Sequence, residues 1–103
     1  MVFIESPLFT RLVNDLLPDE AYAALQRHLA KHPQAGDVMP GAGGLRKLRW
    51  TRPGIGKRGG TRVIYYHLAV AAQIRMVLIY AKAAQENLTS AQTKALLSLM
   101  ENW

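Results

Sequence analysis

The middle of the chain carries a block of positive charge that no acid neutralises. The sequence has no Asp or Glu from residue 38 to residue 85. Nine cations fall in this stretch: Arg46, Lys47, Arg49, Arg52, Lys57, Arg58, Arg62, Arg75 and Lys82. A surface of cations without interspersed carboxylates attracts phosphate groups. These residue types therefore favour the binding of a phosphate-containing partner and the stabilisation of charge on its oxygens.

The cations lie on segments whose composition predicts a sheet. Three segments are predicted strands: 45–50, 62–68 and 74–82. Because alternate residues of a strand share a face, Lys47 and Arg49 project from one side of the first strand. Tyr80 and Lys82 share a face at the end of the third, and Arg62 opens the second. A tight connection makes the last two strands antiparallel.

A loop with several glycines precedes Arg62. Residues 54–59 (GIGKRG) have the letters of a dinucleotide-binding fingerprint. That motif needs a following helix, whereas a strand follows here, so we interpret the segment as a hairpin loop. Glycine lets the backbone approach a phosphate, and Lys57 and Arg58 supply charge. Arg46 and Tyr66 are further candidates for RNA binding, through charge and through stacking on a base.

Several other chemistries are disfavoured. The sequence contains no cysteine, which excludes a disulfide scaffold, a cysteine zinc site and a thiol nucleophile. His28 and His32 have helical i, i+4 spacing, and we interpret them as solvated residues near a helix C-terminus. The basic half has no pair of carboxylates, which counts against glycosidase and two-metal nuclease chemistry. Trp50 is expected to lie in the core.

Helices are predicted on both flanks of the basic block. Ser6 and Pro7 start one helix, Pro18 separates it from a second, and Thr89 with Gln92 forms a capping box that starts a third. With a short strand at 2–4, the order is β-α-α-β-β-β-α. This order predicts one α+β domain over residues 1–103, a curved antiparallel sheet with two N-terminal helices and one C-terminal helix on a face.

No segment predicts a membrane span or a targeting signal. The longest apolar run, 76–81, is far shorter than the roughly 20 residues that cross a bilayer. The first residues reach an acid before any signal-peptide hydrophobic region forms. We therefore expect a cytoplasmic protein without a membrane partner.

Three runs of the sequence resemble HigB-type toxins of the RelE superfamily: GGLRKLR at 43–49, GKRGGTRVIYY at 56–66 and LIYAK at 78–82. The resemblance covers nearly the whole chain and implies a RelE-like fold. It implies a bacterial type II toxin that cleaves mRNA in the ribosomal A site. Its partners would be the ribosome, mRNA and a cognate antitoxin, HigA-like with a helix-turn-helix domain. It implies no metal or other cofactor, because the 2′-hydroxyl of the substrate attacks its own adjacent phosphate.

The resemblance also implies roles for individual residues. The paired basic residues of the family fall on Lys47 and Arg49, and its strand-opening arginine falls on Arg62. A positive group at the end of the last strand falls on or next to Lys82. The better-known RelE members have an arginine where this chain has Ala83.

Those members also have a tyrosine soon after that arginine, and Tyr80 is the substitute in this chain. The identity of the general acid and base stays open, with Lys47 and Lys82 as candidates because crowding by cations lets a lysine give up its proton. We expect Arg62 to clamp the scissile phosphate with its forked guanidinium.

The departures from the family pattern keep a second function open. A non-catalytic RNA- or ribosome-binding protein on the same scaffold, a decayed toxin, would also carry these cations. A DNA-binding module is a weaker alternative, because the predicted helices are the acidic or neutral parts of the chain and show no recognition-helix pattern.

Overall fold

A computed structural model describes residues 1–51 and 60–103 of the chain. Its elements in chain order are β1 (Val2–Glu5), α1 (Pro7–Leu16), α2 (Asp19–Lys31), β2 (Asp37–Val38), β3 (Arg46–Trp50), β4 (Thr61–Leu68), β5 (Gln73–Ala81) and α3 (Ser90–Glu101). The predicted α+β class and the order of the helices and longer strands are confirmed. The structure adds β2, whose two residues are too few to show a periodic pattern.

The five strands form one sheet in the order β1-β5-β4-β3-β2. The pairs β2–β3, β3–β4 and β4–β5 are antiparallel, whereas β1 runs parallel to β5. The sheet is therefore mixed, and the prediction of a purely antiparallel sheet is wrong at this edge. A tight turn forces antiparallel pairing, but a connection through helices permits either direction, so the sequence pattern did not fix the direction of β1.

Helices cover both faces of the sheet. Val63 and Tyr65 of β4 pack with α1 and α2, whereas Ile64 packs with Leu96 of α3 on the opposite face. The expectation that the helices lie on a single face is therefore wrong. The reason is that Val63, Ile64 and Tyr65 are consecutive and fully buried, so this strand needs apolar cover on both sides.

A register shift between β4 and β5 sets the position of Tyr80. Tyr65 pairs with Met76 and Ile64 pairs with Leu78, so Val77 is an extra residue on β5. A bulge of this kind changes the phase of the side chains beyond it. As a result Tyr80 lies directly opposite Arg62.

The helix starts form as predicted. The Ser6 hydroxyl accepts the Phe9 N–H at 3.0 Å and donates to the Val77 carbonyl at 2.8 Å, which joins the start of α1 to β5. Thr89 and Gln92 form the capping box of α3. These contacts satisfy backbone N–H groups that a helix start leaves without intrahelical partners.

The α1/α2 side of the sheet is also joined by polar contacts. Trp50 packs half-buried against this core, as predicted, and its indole N–H donates to the Ala21 carbonyl at 3.2 Å. Glu5 accepts the Thr10 hydroxyl at 2.6 Å and the Tyr22 hydroxyl at 2.5 Å. Within residues 1–51 and 60–103, no helix is both long and apolar enough to cross a membrane.

Tyr65 links the sheet to the segment that follows α2. Its side chain is fully buried, and its hydroxyl accepts the Gly36 N–H and donates to the Pro33 carbonyl, both at 2.8 Å. Gly36 is required at this contact, because an added Cβ would come within 2.8 Å of the Tyr65 ring. Burial raises the pKa of Tyr65, so the phenol stays a hydrogen-bond donor at neutral pH.

We expect Tyr65→Phe to lower the free energy of unfolding by about 1–3 kcal/mol, because the Gly36 N–H and the Pro33 carbonyl lose their partner inside the protein. Urea denaturation followed by circular dichroism measures the loss. Tyr66→Phe is the matched control, since Tyr66 is the neighbouring tyrosine on the opposite face of β4. Equal unfolding free energies for the two variants would contradict this account of Tyr65.

Candidate active site

Three neighbouring strands bring three predicted site residues into one row. Arg49 of β3 pairs with Arg62 of β4, and Arg62 pairs with Tyr80 of β5. Directly opposite residues of paired strands point to the same face, with Cβ atoms roughly 5 Å apart. The face is the α3 side, because Ile64 is two residues from Arg62 and packs with α3.

Two lysines join this row. Lys47 is two residues from Arg49 on β3, so it shares its face. The Lys82 N–H donates to the Gly60 carbonyl at 3.0 Å, which places Lys82 two residues from Tyr80, just past the end of β5, and on the same face. The structure thus brings all five predicted catalytic residues to one region, which we call the cationic row: Lys47, Arg49, Arg62, Tyr80 and Lys82.

Arg62 is a buried cation. It is only 4% exposed, although Arg49 beside it is exposed. One terminal nitrogen of the Arg62 guanidinium (Nη1) donates to the Thr61 carbonyl at 3.3 Å. The other terminal nitrogen (Nη2) lies 3.8 Å from a carboxylate oxygen of Glu86. A buried charge is costly unless it is paired, so the Glu86 carboxylate is the counter-charge that makes this position tenable.

Glu86 belongs to the connection between β5 and α3, which crosses the cationic row at residues 85–87 (the 85–87 segment). Lys47 Nζ donates to Asn87 Oδ1 at 2.8 Å. The Tyr80 hydroxyl lies 3.5 Å from the Glu86 carbonyl oxygen. Gln85 donates to the Asn87 carbonyl at 2.7 Å and also contacts the side chain of Gln92, which holds the segment against the start of α3.

Glu86 and Asn87 were not predicted as site residues. One signal was available: Glu86 is the first acid after the acid-free block, and it follows the last strand. A turn after β5 that brings the chain back over the sheet would place it near the cations.

The surroundings of Tyr80 keep its phenol protonated. Burial raises the pKa of Tyr80, the Arg62 charge opposes this effect, and the Glu86 charge adds to it. The net direction is upward, so Tyr80 is a hydrogen-bond donor at neutral pH. A protonated phenol beside the Arg62 guanidinium is suited to donating a proton to an oxygen that leaves phosphorus.

Arg46 lies elsewhere. Its position on β3 places it on the face opposite Lys47 and Arg49. Its guanidinium donates to the Gly36 carbonyl at 2.8 Å and the Gln34 carbonyl at 3.3 Å. The structure therefore does not bring Arg46 to the cationic row, and its contacts support the segment that follows α2.

Tyr66 faces α3 but lies four residues along β4 from Arg62. It is half-buried near Gly44, whose positive φ of +92° favours glycine and where an added Cβ would come within 3.0 Å of the Tyr66 ring. Tyr66 is thus separate from the cationic row. Lys57 and Arg58, predicted to bind RNA, lie outside the described residues.

The arrangement suits chemistry on a phosphate ester. Guanidinium and ammonium groups stabilise negative charge that develops on nonbridging oxygens, and a phenol donates a proton. In the part of the chain that the structure describes, no group of three or more His, Cys, Asp or Glu side chains could hold a metal ion.

Comparison with known proteins identifies the fold. No family model matches the sequence. Among solved structures, the chain is similar to a mutant of the E. coli toxin RelE in the free state, with a TM-score of 0.61 and 10% sequence identity. The match covers 96% of this chain and 95% of that chain. The protein therefore has the α+β fold of RelE, as the sequence resemblance implied.

We expect the Tyr80 phenol to lose its proton above the usual tyrosine pKa of about 10, since burial and Glu86 disfavour the phenolate. Ultraviolet titration of the wild-type protein and Tyr80→Phe isolates this group as a difference in tyrosinate absorbance. The midpoint of that difference should lie above pH 10. A midpoint at or below pH 10 would contradict the assigned environment.

Proposed function

We propose that this protein is the toxin of a type II toxin–antitoxin system, of the HigB type within the RelE superfamily. It would act as a metal-independent, ribosome-dependent endoribonuclease that cleaves translated mRNA and inhibits translation. The observation that carries the proposal is the row of Arg49, Arg62 and Tyr80 across three strands of a RelE-like fold. The sequence runs that resemble this family contain the same residues.

The cations would bind the scissile phosphate and stabilise the transition state. The 2′-hydroxyl oxygen attacks phosphorus, and negative charge grows on the nonbridging oxygens. Arg62 can offer two parallel N–H groups to those oxygens, and Arg49 lies directly across from it. Preorganised donors of this kind are usually the largest catalytic contribution. Lys47 and Lys82 add positive charge at the two ends of the row.

Tyr80 would supply the proton that the leaving group needs. As the bond between phosphorus and the 5′-oxygen breaks, that oxygen takes the phenolic proton and leaves as a hydroxyl. The products are a 2′,3′-cyclic phosphate and a free 5′-hydroxyl end. A tyrosine with a raised pKa still transfers a proton readily to a departing alkoxide, because the alkoxide is a far stronger base.

The positive charge of the chain also suggests how it would bind the rest of the RNA and an antitoxin. Lys57 and Arg58 belong to the acid-free block and would contact RNA outside the reacting phosphate. A toxin with a basic site needs a control protein, and a HigA-like antitoxin with a helix-turn-helix domain would fill that role. An acidic segment of such an antitoxin would be complementary to the cationic row.

A non-catalytic RNA- or ribosome-binding protein is the second candidate function. It is favoured by Ala83, which stands where better-known RelE members have an arginine, and by the low exposure of Arg62. Both functions predict RNA binding that weakens as salt rises, because binding releases counterions. Cleavage products therefore distinguish them, whereas affinity does not.

We expect Arg62→Ala to reduce mRNA cleavage by roughly 10²- to 10³-fold, because it removes a preorganised donor to the transition state. Primer extension on a defined mRNA in a purified translation system, with and without ribosomes, measures the cuts. They should appear only on translated message.

Arg27→Ala is the matched control, since Arg27 is exposed on α2, on the other side of the sheet. It should cut like the wild type. Intact message with blocked translation would favour the binding protein over the nuclease. Wild-type cutting by folded Arg62→Ala would remove Arg62 from the mechanism.

A further inference from the structure

The cationic row consists of hydrogen-bond donors, and Lys47 and Lys82 would accept a proton only after losing one of their own. Arginine and protonated lysine side chains carry N–H groups and no free lone pair. Tyr80 keeps its proton, as argued above from its burial. Attack by a 2′-hydroxyl nevertheless releases a proton, so an efficient reaction needs a basic group near the attacking oxygen. Arg62 and its strand neighbours cannot provide it.

The 85–87 segment brings one carboxylate to this place. Glu86 Oε1 lies 3.8 Å from the Arg62 guanidinium, and the Glu86 carbonyl lies 3.5 Å from the Tyr80 hydroxyl. The side-chain oxygen of the neighbouring Asn87 accepts a hydrogen bond from the Lys47 ammonium group at 2.8 Å. Contacts to β3, β4 and β5 therefore fix the position of Glu86 relative to all the strands that carry the row.

The carboxylate is accessible as well as positioned. The Glu86 side chain is 58% exposed, whereas the Arg62 side chain is 5% exposed. At 3.8 Å their contact is an ion pair longer than a hydrogen bond, so the carboxylate keeps lone pairs that face solvent. A substrate on the row would meet Glu86 at its open side.

We propose that Glu86 is the general base of the cleavage reaction, an inference that rests on the proposed function. The Glu86 carboxylate takes the proton of the 2′-hydroxyl as the 2′-oxygen forms its bond to phosphorus. The bond from phosphorus to the 5′-oxygen breaks, and that oxygen receives the Tyr80 proton. Exchange with solvent then returns Glu86 and Tyr80 to their starting forms. No further reactant is needed, because the step is an intramolecular transesterification in which the 2′-oxygen replaces the 5′-oxygen on phosphorus.

The charged groups around Glu86 define the expected pH dependence. Arg62 faces it from β4, Tyr80 from β5, and Lys47 of β3 lies beside it through Asn87. A base must be unprotonated to act, so acid should slow the cleavage reaction. Removing the carboxyl should remove that slowing.

The test is single-turnover cleavage of a defined mRNA on purified ribosomes between pH 4.5 and 8.5. We expect Glu86→Gln to lower the rate by roughly 10²- to 10⁴-fold and to flatten the acid side of the profile. Glu86→Asp should restore part of the rate and the dependence on pH. Glu101→Gln, which makes the same charge change on an exposed acid of α3, should match the wild type.

A binding measurement distinguishes a chemical role of Glu86 from a structural one. Ribosomes carrying message with a 2′-deoxynucleotide at the mapped cut should bind Glu86→Gln at least as tightly as wild type, because a like charge near the phosphate is gone. Cutting by Glu86→Gln within about threefold of wild type, or faster, would overturn the inference and leave the nuclease intact. Lost binding would overturn it too. A wild-type protein that cuts no message would instead refute the proposed function, and the inference with it.

Discussion

The buried guanidinium of Arg62 is the constraint on which the site depends. A cation that is 4% exposed must be paired, and the β3 and β5 residues opposite it, Arg49 and Tyr80, carry no negative charge at neutral pH. The counter-charge comes from Glu86, in the chain that follows β5. Pairing therefore draws the 85–87 segment over the row, shortly before the start of α3. The same contact supports folding and defines the chemistry available there.

The two faces of the sheet have different tasks. On the α1/α2 face, polar groups such as the Tyr65 hydroxyl and the Arg46 guanidinium donate to backbone carbonyls of the segment that follows α2. These contacts stabilise the scaffold. On the α3 face, Leu96 packs on Ile64 and Val77 and covers the apolar part of the sheet. The polar end of β3, β4 and β5 extends beyond this cluster, which leaves Arg49 open to a partner.

The sequence predicted those features of the fold that depend on residues close together in the chain. Ser6 and Thr89 marked helix starts because a cap acts within three residues, and alternation put Lys47 and Arg49 on one face and Arg46 on the other. Alternation already separated Arg46 from the row, and its charge alone suggested RNA binding. Contacts between residues far apart in the chain could not be predicted from such patterns. Lys47 meets Asn87 across 40 residues, and neither this contact nor the direction of β1 leaves a periodic signal.

The placement of charge explains why an acid follows the basic block rather than interrupting it. A carboxylate within β3, β4 or β5 would neutralise the field that attracts phosphate, since it would face the cations at strand spacing. A carboxylate on the 85–87 segment touches Arg62 with one oxygen and stays half-open to solvent. The cations of the strands then attract the phosphate, while the carboxylate of the 85–87 segment can accept a proton. An RNA phosphate can bind Arg62 while Glu86 stays in the site, because a guanidinium has donors for both.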